Sequence, residues 1–100
     1  MSLDDVQREL DAVVTALLPE LRATKVVDPG TFAELLRIGD KLLSVAADQE
    51  EIPKRLVGDA WFVFTAMLTE ADYAADPDHI LDAACAWQEK LRRAFGPAFD

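Results

Sequence analysis

Apolar residues recur along the chain at intervals of three and four, the repeat of a helix with one buried face. Leu3, Val6, Leu10, Val13, Val14, Leu17 and Leu21 form such a stripe and predict a first helix from about Leu3 to Thr24. Ser2 caps its start, with Asp5 three residues on as the partner of a capping box. Pro19 lies inside the stripe. It has no N–H and clashes with the preceding turn, so the sequence predicts a kink or break near Ala16 to Leu18. A second helix is expected from Asp28-Pro29, an aspartate cap followed by proline at the first helical position. Phe32, Leu35, Leu36, Leu42, Leu43 and Ala46 give its apolar side. Gly39 falls mid-helix, where glycine costs about 1 kcal/mol against alanine, and is read as a point of close packing.

The third segment runs from Pro53 to about Ala74 and is apolar on nearly every side, through Leu56, Val57, Trp61, Val63, Phe64 and Met67. A helix of that kind is a buried one, so the third helix is expected at the centre of the fold. The fourth repeats the Asp-Pro start at Asp76-Pro77. Ile80, Ala84, Trp87, Leu91 and Phe95 follow at helical spacing, and Gly96-Pro97 closes it. No alternating run or hairpin turn signals a strand. The expected fold is one all-α domain over residues 1–100. Its short connections imply a four-helix up-down bundle with a central apolar third helix.

Composition narrows the function classes. The chain has 100 residues, is 51% hydrophobic and carries a net charge of −9. It is too apolar for a disordered acidic tail. Its charge argues against nucleic acid, which needs a basic surface. The most apolar stretch, Ala60 to Leu68, is far short of the roughly 20 residues of a membrane span. No signal-peptide pattern opens the chain, so a soluble, cytoplasmic protein without membrane contact is expected. One cysteine, Cys85, cannot form an internal disulfide, and its place beside Ala84 suggests an inert core position.

Catalytic material is sparse. Only Ser2 and Ser44 are serines, and neither has a histidine nearby in sequence. His79 follows Asp76 and Asp78 but is the sole histidine, too few for a zinc or di-iron site. Calcium-loop spacing and a glycine-rich phosphate loop are both missing. No metal and no cofactor are expected.

Leu56-Val57-Gly58-Asp59-Ala60-Trp61-Phe62 resembles the Glu-Leu-Gly-Asp-Leu-Leu stretch of the MazG-type nucleotide pyrophosphohydrolases. The later run of Asp76-Pro77, Leu81, Lys90, Arg92-Arg93 and Phe95 is similar to that family's closing helix. The resemblance implies an all-α enzyme holding magnesium between carboxylates on adjacent helices. Asp59 matches the family's aspartate, whereas Leu56 stands where its partnering glutamate should be. On the second helix Glu34 and Asp40 are the only acids, so the Glu-x-x-Glu pair is missing. The implied alternative is a relative with a degenerate magnesium site, with Asp40 and Asp59 as its surviving ligands.

The leading expectation is a non-catalytic protein-binding module. Arg55, Asp59, Phe62, Ala66, Thr69 and Tyr73 recur at helical spacing on the side of the third helix away from Trp61, Phe64 and Leu68. Aromatic anchors beside small residues suit a protein partner or a second copy of the chain. The competing expectation is that Pro19 bends the first helix over this stripe and makes it core. Lys54 and Arg55 near the start of the third helix, and Glu70 and Asp72 near its end, oppose the helix dipole, so local stability did not select them; solubility from net charge is one reading and steering of a basic partner the other. Asp4, Asp5, Asp48, Glu50 and Glu51 should gather at one end of the bundle, and Glu70, Asp72, Asp76 and Asp78 at the other. Asp59, Phe62, Thr69, Glu70, Asp72 and Tyr73 are the candidate binding residues. The concrete form of the expectation is a bacterial immunity or antitoxin-like protein that covers a basic partner.

Overall fold

The computed structural model describes residues 2–96. It holds four helices, α1 (Leu3–Thr24), α2 (Pro29–Ala46), α3 (Lys54–Ala71) and α4 (Pro77–Phe95), with no strand among the described residues. Three starts are built as their sequences dictate. Ser2 Oγ accepts the Asp5 N–H at 3.2 Å, while the Asp5 carboxylate accepts the Ser2 N–H at 3.0 Å. Asp28 accepts the Thr31 N–H at 2.9 Å with Pro29 in the first turn, and Asp76 accepts the His79 N–H at 3.4 Å. These bonds occupy donors that a helix start otherwise leaves without partners. α3 opens at Pro53 with no side-chain cap. α4 closes on Gly96, whose φ of +99° suits only a residue without Cβ. Pro97, the other half of the expected stop, lies outside the described residues.

α1 runs through Pro19 without a break. Pro19 and Thr15 both lie on the exposed side, so the Thr15 carbonyl that Pro19 cannot bond faces water. α3 ends at Ala71 rather than near Ala74, and Tyr73 sits in the turn that follows.

Neighbour relations set the architecture. α1 packs against α2 and α3, and α4 packs against the same two. Among the described residues no Cα of α2 comes within 8 Å of one in α3, and none of α1 within 8 Å of one in α4. The order around the bundle is therefore α1, α2, α4, α3, and the α2–α3 connection crosses a diagonal. This differs from the expectation that short connections keep consecutive helices side by side. α1 and α3 run in the same direction: Gln7 meets Asp59 near both starts, and Lys25 meets Glu70 at both ends.

Trp87 spans the diagonal that the chain crosses. Its ring is fully buried, and its Nε1–H donates to the Ala60 carbonyl of α3 at 2.9 Å. On its other side lies Gly39 of α2, where an added Cβ would come within 3.0 Å of Trp87 Cζ3. The close packing expected at Gly39 is thus the approach of α4. Leu10, Leu35, Leu56 and Leu91 bring all four helices into the same buried cluster.

α3 is covered only by α1 and α4. Leu56, Ala60, Val63 and Met67 are buried, but Trp61 is 41% exposed, Phe62 48% and Leu68 37%. The expectation of an enclosed third helix, with Trp61 in the core, is corrected by this geometry. A helix touching two neighbours keeps a third side for solvent whatever its composition. Cys85 is also exposed, contrary to the core position expected for it. The buried line of α4 runs through Ile80, Ala83, Ala84, Trp87 and Leu91, and Cys85 is one residue step, about 100°, beyond Ala84.

Candidate functional site

The outward side of α3 presents Gly58, Trp61, Phe62, Thr65, Leu68 and Thr69 in successive turns, with Tyr73 just past the helix end. Tyr73 is 74% exposed. Thr65 Oγ1 donates to the Phe62 carbonyl and Thr69 Oγ1 to the Thr65 carbonyl, both at 3.0 Å. These hydroxyls bond to their own helix backbone, which lowers the polarity they offer to a partner. Trp61 packs on Phe64 with ring centroids 5.2 Å apart. A Cβ added to Gly58 would meet nothing within 4 Å, so the surface above it is open.

The expected binding residues divide into two groups. Phe62, Thr69, Asp72 and Tyr73 are exposed on or beside this face. Asp59 is half-buried against α1, where it accepts from Gln7 Nε2 at 2.8 Å and lies 3.6 Å from Arg55 Nε. Gln7 also reaches Asp11 at 3.0 Å, and Arg55 donates to Asp11 at 2.9 Å. Asp59 thus belongs to a polar tie between α1 and α3. Glu70 is largely covered and forms an ion pair with Lys25. The Lys25 ammonium also sits 5.9 Å from the centre of the Tyr73 ring, within reach of its π face. Ala66, expected within the stripe, is buried. Trp61 and Leu68 were missed as surface residues. Their seven-residue separation puts them on one line beside Phe62 and Thr69, but only the neighbour order reveals that no other helix packs over that line.

Charge is arranged along the bundle. The bases of its middle are occupied: Lys41 with Glu9 at 2.8 Å, Arg37 with Glu34, Lys90 with Asp40, and Arg55 with Asp11. The α2–α3 connection carries Asp48, Glu50 and Glu51, and the α3–α4 turn carries Asp72 and Asp76, with Asp78 in the first turn of α4, all exposed. α3 has 18 residues, so these two acidic groups stand about 27 Å apart.

Metal chemistry finds no assembled ligands. No group of three His, Cys, Asp or Glu side chains gathers among the described residues. Asp40 and Asp59 lie on α2 and α3, which face each other across the bundle diagonal, and each faces a base. His79 Nε2 accepts the Val27 N–H at 3.2 Å and fastens the α1–α2 connection to α4. No helix among the described residues is long and apolar enough to cross a membrane. No protein-family model, curated protein or solved structure matches this chain.

Proposed function

We propose that the protein is a small acidic binding module without a catalytic role, and that it docks a protein partner on the outward face of α3. The observation that carries this reading is the exposure of Phe62 and Tyr73, at 48% and 74%. Large rings left in water on one side of a helix cost solvation and gain it back when a partner covers them. Exposed acids at the two ends of α3 support a steering role toward a basic partner, because they make the local potential more negative. An immunity or antitoxin-like protein, covering a basic protein, is the form we favour.

Capture from the native cell lysate tests it, using wild type and Phe62→Asp as baits and washing at low and high salt. A basic protein held by wild type and lost from Phe62→Asp is the expected result. Release by high salt would assign most of the affinity to the acidic ends, since screening weakens exposed charge pairs more than apolar contacts. Equal capture by both baits would remove the α3 face from the reading.

A further inference from the structure

Lys54 and Asp72 remain unexplained by the fold. Both are exposed, and neither forms an ion pair among the described residues. A lysine at the start of α3 and an aspartate at its end each work against the dipole of their own helix. The same two charges are favourable toward a second α3 running the opposite way, because each then lies at the other helix's opposite terminus. Resting on the docking face proposed above, we infer that, while no basic partner is bound, that face is covered by a second copy of this chain, paired α3 to α3 in antiparallel fashion about a two-fold axis, which such a partner would displace.

Helical geometry fixes the register. Lys54 and Asp72 are 18 positions apart, five turns, so they share one line on the helix about 27 Å long. Pairing Lys54 with Asp72 of the second copy places the axis at the level of Val63. That register sets Trp61 opposite Thr65 of the second copy. It also brings Thr69 of the second copy over Gly58, where the surface is open and has no side chain in the way. Phe62 then lies beside the axis and near its own copy. The residues under the crossing are thus glycine, threonine and flat rings, which let two helices approach to the usual 8–10 Å. An isologous contact of this kind closes on itself and leaves no free copy of the patch. The net charge of −9 opposes association. At physiological salt the screening length is about 8 Å, which confines that repulsion to close neighbours.

Sedimentation velocity over a wide concentration range, at physiological salt, reads the outcome. Wild type should pass from 11.0 kDa to twice that mass as concentration rises. Lys54→Glu and Asp72→Lys should each weaken the dimer about tenfold, because the two-fold axis counts every substitution twice. Both changes improve the charge at the ends of their own helix, so a weaker dimer cannot be a folding defect. The double variant Lys54→Glu/Asp72→Lys should restore association to near wild type, and Phe62→Asp should abolish it. A wild type that stays monomeric overturns the second copy as occupant. In that case, loss of lysate capture by Phe62→Asp would still uphold the docking face, whereas unchanged capture would end both readings. A dimer indifferent to all four variants forms elsewhere and also overturns the inference.

Discussion

Gly39→Ala sets two known effects against each other at one atom. Alanine in a helix interior is favoured over glycine by about 1 kcal/mol, so on propensity alone the substitution stabilises. The added Cβ, however, would stand 3.0 Å from Trp87 Cζ3 and 3.2 and 3.3 Å from Lys90 Cγ and Cβ. The Lys90 Cβ is fixed by the α4 backbone, though the arm beyond it is flexible and can move aside. Trp87 cannot: it is fully buried, and its indole N–H is held by the Ala60 carbonyl at 2.9 Å. Forcing extra volume into a packed core costs about 1–3 kcal/mol. Displacing the ring also endangers a hydrogen bond with a net worth of about 1 kcal/mol. The steric term wins, and the net expectation is a loss of about 1 kcal/mol, from the sum of these opposing terms. Urea unfolding followed by circular dichroism measures it. In a Trp87→Phe background the smaller ring should admit the methyl group, so Gly39→Ala should become neutral or stabilising. Contacting residues of this kind couple by 0.5–3 kcal/mol in such cycles, by a rough general range. A Gly39→Ala protein more stable than wild type by the full propensity gain would refute the close approach of α2 and α4.

The two tryptophans should separate in the same assay. Trp87→Ala should cost about 3–5 kcal/mol, and Trp61→Ala less than half as much, because Trp61 is 41% exposed. Equal losses would put Trp61 in the core. Acid should destabilise the fold in a specific way. Hydrogen bonds from Thr31 hold Asp28 below its ordinary 3.8, bonds from Ser2 do the same for Asp5, and Lys41 holds Glu9 below its ordinary 4.5. A carboxylate with a depressed folded value contributes stability above its unfolded value and loses it as pH falls through the folded one. Unfolding midpoints should therefore drop below about pH 5, the region where free carboxylates begin to protonate. Asp28→Asn, which caps without titrating, should flatten that decline, and an unchanged acid limb would count against it. Magnesium with a nucleoside triphosphate should leave Tm unmoved, because Asp40 and Asp59 lie on diagonally opposed helices and each is paired with a base. A rise would revive the magnesium-site alternative.

What could be read from the chain was what a few adjacent residues decide. The Ser2–Asp5 box and the Asp28-Pro29 and Asp76-Pro77 starts act within one turn, and each appears where its residues stand. The all-α bundle follows from three- and four-residue spacing in the same local way. The order of the helices does not, because it depends on which side faces fit. Gly39 receiving Trp87 is a contact between residues 48 positions apart in sequence. That order in turn decides which apolar side of α3 is left uncovered. Phe62 and Tyr73 were legible as a stripe at helical spacing, set apart from Phe64. Trp61 and Leu68 were not, because α3 has too few polar positions to mark its wet side. The end of α3 was overrun by three residues for a similar reason: no glycine or proline follows Ala71 at once to stop it. Asp59 fits the docking stripe by spacing, yet Gln7 and Arg55 engage it from α1 and from its own helix.

The account rests on the α3 face being surface rather than core, and the unfolding free energy of Phe62→Asp measures that directly. The experiment is urea denaturation of wild type and variant at low protein concentration, where any self-association is dissociated. Substitutions at exposed positions usually change stability by no more than about 0.5 kcal/mol, and that is the result expected at Phe62. Burying an unpaired carboxylate in a core would instead cost several kcal/mol. A variant that unfolds, or that loses about 3 kcal/mol or more by that mechanism, would contradict the account. It would return Phe62 to the interior and remove the proposed docking face.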